Sequence, residues 1–247
     1  MEVLNIFSAG AAKAAVTRVA QSFEADSGMT VNGRYGAVQP LKARLLAGEE
    51  ADVIVLTDAL IEELIERKLV LAGSRADLGT VATGMAVRAG MPVPRIDSLA
   101  NLRAALLACE TVYCPDPAAA TAGKVMVQVL RQLGIFDVLG ARLQYCASGY
   151  ETAHRLAQGQ GPREMAVMQV TEIAAVDAIA LVGPLPAALQ IASTYSAGLA
   201  AHARHPDRAA EFIRRLTQDR QALATAGFGS CPQPGESETA GQAARRG

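Results

Sequence analysis

Three places in this chain set small residues directly before a helix start, in a pattern suited to holding an anion. The first is Ser8-Ala9-Gly10-Ala11. The second is Gly36-Ala37-Val38-Gln39, ahead of Pro40. The third runs from Asp116-Pro117 through Thr121-Ala122-Gly123-Lys124. Small side chains let backbone N–H groups approach a ligand, and each helix N-terminus adds about half a positive charge. Several such termini aimed at one point make an anion site with little need for Lys or Arg. Any one of these turns is an ordinary connection; their recurrence is what argues for a ligand. Side chains able to move a proton or pair with a carboxylate are fewer. Lys13 and Lys124 lie just past glycine turns, Tyr150 opens a helix, and Glu172 follows a strand. Asp58 and His154 have plainer readings, as a helix cap and a surface histidine. No catalytic residue is assigned. There is no Ser-His-Asp order, HExxH, P-loop or GxGxxG, so hydrolase, kinase and dehydrogenase classes fall away.

The elements that must position these residues alternate between strand and helix. Val3 to Phe7 reads as a buried strand and Ala11 to Ser27 as a helix with Val16, Val19, Ala20 and Phe23 on one face. Met29 to Tyr35 is a second strand, and Pro40 opens the next helix, where a missing N–H costs nothing. Asp52 to Leu56 is a short apolar run of the parallel-sheet type, followed by a helix over Ala59 to Lys68. A single strand is expected around Val81 to Val87. Later strands fall at Thr111–Cys114, Gln144–Cys146, Met165–Gln169, Ala178–Val182 and Ser193–Ala200. Helices fall at Ser98–Leu107, Thr121–Leu133, Tyr150–Gln158, Pro206–Leu216 and Gln218–Thr225. This alternation predicts an α/β fold built from parallel βαβ units. Beyond Gly229 the composition turns polar and aperiodic, and residues 230–247 read as a disordered tail.

Half of the 247 residues are hydrophobic (51%), which fits a globular chain. A net charge of -1 with no basic run excludes nucleic acid and an anionic membrane surface as partners. An anion must therefore be held by local dipoles. Aromatics are 4% with no Trp, which weakens a sugar ligand. Cys109, Cys114, Cys146 and Cys231 form no CxxC pair, and His is too sparse for a zinc cluster. They read as free thiols, three in the core and one in the tail, with a Cys114–Cys146 disulfide as the alternative. No segment approaches a membrane span, so no membrane insertion is expected. The first residues run into a strand with no leader pattern. That predicts a cytoplasmic protein if Met1 is the native start, and a periplasmic one if a leader has been removed.

Taken in order, a longer set of segments resembles the periplasmic molybdate-binding proteins. The set is Ser8 to Lys13, Phe23 to Gly28, Tyr35-Gly36-Ala37, Leu45 to Gly48, Ala51-Asp52-Val53, Asp116-Pro117 with Gly123, Leu185-Pro186 with Leu189-Gln190, Thr194 to Gly198, and Ala226-Gly227-Phe228. The resemblance spans about residues 3–228. It implies a type II periplasmic-binding-protein-like fold with two lobes, each a mostly parallel sheet flanked by helices. Residues 1–81 and 188–229 would form lobe one and 82–187 lobe two, joined by a double crossover hinge. It places Ser8 at the first oxyanion position, and together with the helix-start reading it gives expected ligand contacts at Ser8, Ala9, Gly10, Ala11, Lys13, Gly36, Ala37, Val38, Gln39, Asp116, Thr121, Ala122, Gly123, Tyr150, Gln169 and Thr171. Relatives carry serines where this chain has Ala37 and Val38, and a tyrosine where it has Gln169. A larger or partly apolar anion fits those positions better than molybdate. Two functions follow from the resemblance. One is a binding protein for a small oxyanion or carboxylate, with an ABC permease as partner if exported. The other is an isomerase of a small unsaturated polycarboxylate, as in an aconitate-isomerase-like branch. Neither calls for a metal or an organic cofactor.

Overall fold

A computed structural model of the chain describes residues 2–229. Cys231 and the expected tail lie outside them. The first strand, β1 (Val3–Ala9), is followed by a single 3-10 turn at Gly10–Ala12, and α1 (Lys13–Ser27) starts only after it. Helix α1 buries Val16, Val19, Ala20 and Phe23 and stops at Gly28, whose φ of 70° suits glycine. Then come β2 (Thr30–Gly36), α2 (Val38–Leu46), β3 (Val53–Thr57), α3 (Asp58–Glu66), β4 (Ala76–Val81) and β5 (Thr83–Arg88). The next stretch holds α4 (Leu99–Ala108), β6 (Thr111–Pro115), α5 (Thr121–Gln132), α6 (Phe136–Leu139), β7 (Leu143–Cys146) and α7 (Gly149–Gln158). The chain closes with β8 (Glu164–Gln169), α8 (Val170–Ala174), β9 (Ile179–Pro184), β10 (Ser193–Leu199), α9 (Pro206–Gln218) and α10 (Arg220–Thr225).

The strands form two five-stranded sheets, in the orders β2-β1-β3-β10-β4 and β7-β6-β8-β5-β9. In the first, β1 pairs parallel with β2 and β3, and in the second β6 pairs parallel with β7 and β8. Each sheet takes one antiparallel strand next to its edge, β10 in the first and β5 in the second. These two are the strands that arrive from the other sheet. The chain leaves the first sheet between Val81 and Thr83 and returns to it between Pro184 and Ser193. Both sheets carry helices, and each lobe has its own apolar core. Strand β3 is buried at all five positions, as expected for a strand covered on both faces. The edge of Phe23 meets the ring of Phe212, with centroids 5.4 Å apart, which docks α9 against α1 and ties the C-terminal helices to the first lobe. Among the described residues no helix is long and apolar enough to cross a membrane.

Two expectations are corrected. Helix α2 begins at Val38, with Ala37 as its cap, so Gln39 lies inside the helix and Pro40 is its third residue. Proline is accepted there because the first four helical N–H groups have no intrahelical partner. The single strand around Val81–Val87 is two strands, β4 and β5, broken at Ala82, where the chain changes sheets. The reading of three free core thiols holds: Cys109, Cys114 and Cys146 are free and buried, and the alternative Cys114–Cys146 disulfide is not formed. In the β6–β7 register Cys114 pairs with Tyr145 and Cys146 with Pro115. The two cysteines are thus one residue out of step and project to opposite faces. Burial pushes the Cys109 thiol up to about 11.

Asp52 shows how a single buried carboxylate holds the first lobe together. It is 1% exposed. Its Oδ2 accepts the Asn5 N–H at 2.8 Å, and its Oδ1 accepts those of Arg204 and His205 at 2.6 and 3.2 Å. Asp52→Ala strands three donors at the junction of β1, β3 and the lead into α9. It is expected to cost about 3 kcal/mol, read by urea denaturation; an unchanged midpoint would contradict this.

Candidate functional site

The cleft between the sheets is where helix starts from both lobes meet. Neither the Gly10–Ala12 turn nor α1, α2 or α5 has a side-chain cap, whereas Ser148 caps α7 by accepting the Glu151 N–H at 3.2 Å. The uncapped starts face an inner cavity of about 20 Å³, lined by Ala9, Gly10, Ala11, Gly36, Ala37, Val38, Pro115, Ala120, Thr121, Ala122, Gly149, Gln169, Glu172 and Tyr195. That volume is about the space of one water. One N–H of the α2 start is already used across the cleft, Gln39 N donating to Ala119 O at 3.2 Å.

An outer groove of about 680 Å³ opens from the same place. Its walls include Lys13, Thr17, Arg18, Gln21 and Tyr35 from the first lobe and Ser148, Tyr150, Thr171 and Glu172 from the second. The Lys13 ammonium lies 5.6 Å from the Tyr35 ring and 4.8 Å from the Tyr150 ring. A cation held by one ring of each lobe favours closure. The edge of His154 packs on Tyr150, with ring centroids 4.3 Å apart.

The floor of the cleft holds buried polar side chains that are poorly satisfied. Gln169 is 3% exposed and Thr171 2%. The hydroxyls of Thr171 and Thr83 are buried without a hydrogen bond, and the Gln169 carboxamide makes no close one, its neighbours being the Glu172 N–H in the α8 capping box and the Tyr195 hydroxyl. Leaving such groups unpaired costs about 1–3 kcal/mol each, so they mark a place where something else is meant to bond. Gln169 ends β8, pairs in register with Thr83, and lines the inner cavity. Tyr195, from β10, is 2% exposed and lines it too. Burial and the nearby Glu172 push the Tyr195 hydroxyl above its ordinary range, which keeps it a donor.

The crossovers that let the lobes move are clamped beside this floor. Gln190 accepts the Thr83 N–H at 3.1 Å and donates to the Thr83 carbonyl at 2.9 Å. One carboxamide thereby joins the outgoing and returning strands. Gln190→Ala removes both bonds, and the expected result is a wider distribution of interlobe distances, read by small-angle scattering; an unchanged profile would contradict it.

Of the residues singled out from sequence, Ala9, Gly10, Ala11, Gly36, Ala37, Val38, Thr121, Ala122 and Gln169 line the inner cavity. Lys13, Tyr150 and Thr171 line the groove. Ser8, Gln39, Asp116 and Gly123 line neither. Ser8 is fully buried, and its hydroxyl donates to the adjacent Ala9 carbonyl at 3.1 Å. Asp116 builds the turn before α5 by accepting the Ala118 N–H at 2.8 Å. Gly123 is the point where α5 touches that turn. Asp58, Lys124 and His154 line neither space. Tyr195, Gly149, Tyr35 and Arg18 are not among the expected ligand contacts, because only long-range packing brings them to the cleft.

Two α/β lobes, a double crossover and a cleft at the converging helix starts define a hinged, two-lobed binding protein. The chain matches the family described as bacterial extracellular solute-binding protein over residues 4–229, and it belongs to that family. It is similar to the periplasmic molybdate-binding protein of Azotobacter vinelandii, with 20% identity, a TM-score of 0.79, and coverage of 93% of this chain and 100% of that one. It is also similar to the sulfate-binding protein of Mycobacterium tuberculosis, with 19% identity, a TM-score of 0.72, and coverage of 99% and 91%. In sequence it is 25% identical to an aconitate isomerase of a Pseudomonas species, over 94% of this chain and 89% of that protein.

Proposed function

We propose that the chain binds a small organic di- or tricarboxylate in the interlobe cleft, with the lobes closing around it. The observation that carries this reading is Gln169: a buried carboxamide with no close hydrogen bond, beside the Glu172 N–H and the Tyr195 hydroxyl, at the meeting point of uncapped helix starts, across from apolar Ala37 and Val38. A tetraoxoanion in a dry site needs a donor at every oxygen. Ala37 and Val38 supply no hydroxyl, so they suit the carbon part of an organic anion. Helix starts and the Gln169 amide suit its carboxylates. As a receptor the protein has an ABC permease as its partner and works outside the membrane.

A second reading is favoured by the similarity to an aconitate isomerase. On it, the same cleft moves a double bond in an unsaturated polycarboxylate. A proton leaves the carbon beside the double bond, its electron pair shifts through the allylic system, and a proton returns at the far end. No atom is gained or lost, and the helix starts stabilise the enolate-like charge between the two transfers. Incubation of the purified chain with trans-aconitate, followed by proton NMR, separates the readings. A new isomer makes the protein an enzyme, and binding without conversion makes it a receptor. A melting point that no carboxylate raises would overturn both.

A further inference from the structure

We propose that Glu172 meets the bound anion as a neutral acid, so that each anion captured brings a proton into the cleft. The proposal rests on the carboxylate-binding reading above. Glu172 is the third residue of α8, and its Oε2 accepts the Gln169 N–H at 3.2 Å. That bond looks like ordinary capping, but the rest of the side chain does something else. Its carboxyl lies against the α-carbons of Gly10 in one lobe and Gly149 in the other. A methyl at Gly10 would come within 2.7 Å of Oε1, and one at Gly149 would overlap the carboxyl. Glu172 is also the one side chain that lines both the inner cavity and the outer groove, the other shared residues being Gly10 and Gly36. Its acid group therefore stands where the two spaces join.

A carboxylate in that position would repel the ligand at contact distance, in a site of low dielectric. A carboxylic acid would donate a hydrogen bond to it. Burial pushes Glu172 up to about 7, opposed by the Gln169 N–H, and no cation forms an ion pair with it among the described residues. The groups around it are few. Tyr195 on β10 is a neutral phenol below it. Lys13, Arg18 and Tyr35 stand on the first lobe's wall, and Tyr150 and His154 on α7, where Glu151 and Arg155 pair with each other at 3.1 Å. On β8 and β5, Glu164 and Arg88 pair with each other at 2.7 Å. Strand β9 presents no titratable side chain, and Asp177 lies beyond the end of α8.

The sign follows from linkage. Between the ordinary carboxyl range and about 7 the folded chain keeps a proton that the unfolded chain has lost, so stability falls as pH rises through that window. Above it, an anion can bind only with proton uptake. Calorimetric titration of the whole chain with trans-aconitate from pH 7 to 9, in buffers of different ionisation enthalpy, tests this. Affinity is expected to fall about tenfold per pH unit, with uptake of about one proton per anion at the alkaline end. Glu172→Gln, which keeps a donor and removes the titration, is expected to bind with a flat pH profile and to melt higher than the wild type at pH 8. If Glu172→Gln fails to fold, proton uptake by the wild type decides. Binding without uptake, or a pH dependence that persists in Glu172→Gln, overturns the proposal alone. No binding at any pH overturns it together with the carboxylate reading.

Discussion

Gly123→Ala is expected to lower the stability of the chain by about 3 kcal/mol and to abolish anion binding. In most helices this exchange gains about 1 kcal/mol, because alanine is the better helix former. Here the added methyl overlaps the Pro115 carbonyl and comes within 2.8 Å of Pro117 N and 2.9 Å of the Asp116 carbonyl carbon. All three are backbone atoms, and the turn they belong to cannot yield cheaply. The Asp116 carboxylate holds the Ala118 N–H, and its carbonyl accepts the N–H groups of Ala119 and Ala120 at 3.0 and 2.9 Å. Either α5 moves outward or the turn breaks, and both remove Ala120, Thr121 and Ala122 from the cavity. Urea denaturation and a binding titration read the two effects. A variant as stable as the wild type would show that α5 does not need to approach this closely.

Gln169→Leu is expected to separate stability from binding. The leucine has nearly the same size and removes two buried polar atoms that make no close hydrogen bond, together with their approach to the Glu172 N–H and the Tyr195 hydroxyl. The free chain should stay close to the wild type in stability, since relief of the carboxamide's desolvation cost offsets the loss of those weak contacts. Affinity for a carboxylate should fall about tenfold to a hundredfold, because a hydrogen bond to a charged group is worth about 1.5–3 kcal/mol. Thermal melting and calorimetry test both halves. If melting drops while affinity holds, Gln169 is structural and the reading of the floor is wrong.

Much of this architecture is legible in sequence because it is local. The Asp52–Leu56 run announces a buried parallel strand, and the small residues before α1, α2 and α5 announce turns that crowd a common point. What is not legible depends on distant contacts. Strand β4 contains Asp77 and Gly79 and has little strand character. It is placed by pairing with β10, where Ser196 donates to Asp77 at 2.6 Å. Reading one strand across Val81–Val87 hid the change of sheet at Ala82, since apolar periodicity cannot show which sheet a strand joins. Glu172 has the local signature of a first-turn acid and keeps that role. Its position between Gly10 and Gly149 arises only when the lobes meet. Tyr195 lies in the family-like Thr194 to Gly198 segment of β10, and nothing in its neighbours says that it faces the cleft.

The chain contains no tryptophan, which offers a direct test of where the ligand goes. Tyr150 stands at the mouth of the cleft, 54% exposed, so Tyr150→Trp gives a single reporter there without disturbing a core. Titration of this variant with trans-aconitate, beside sulfate and molybdate, is predicted to give a saturable emission change with the carboxylate that competes with a second polycarboxylate such as citrate. A change with molybdate or sulfate alone, or none with any carboxylate, would contradict an organic anion in the interlobe cleft.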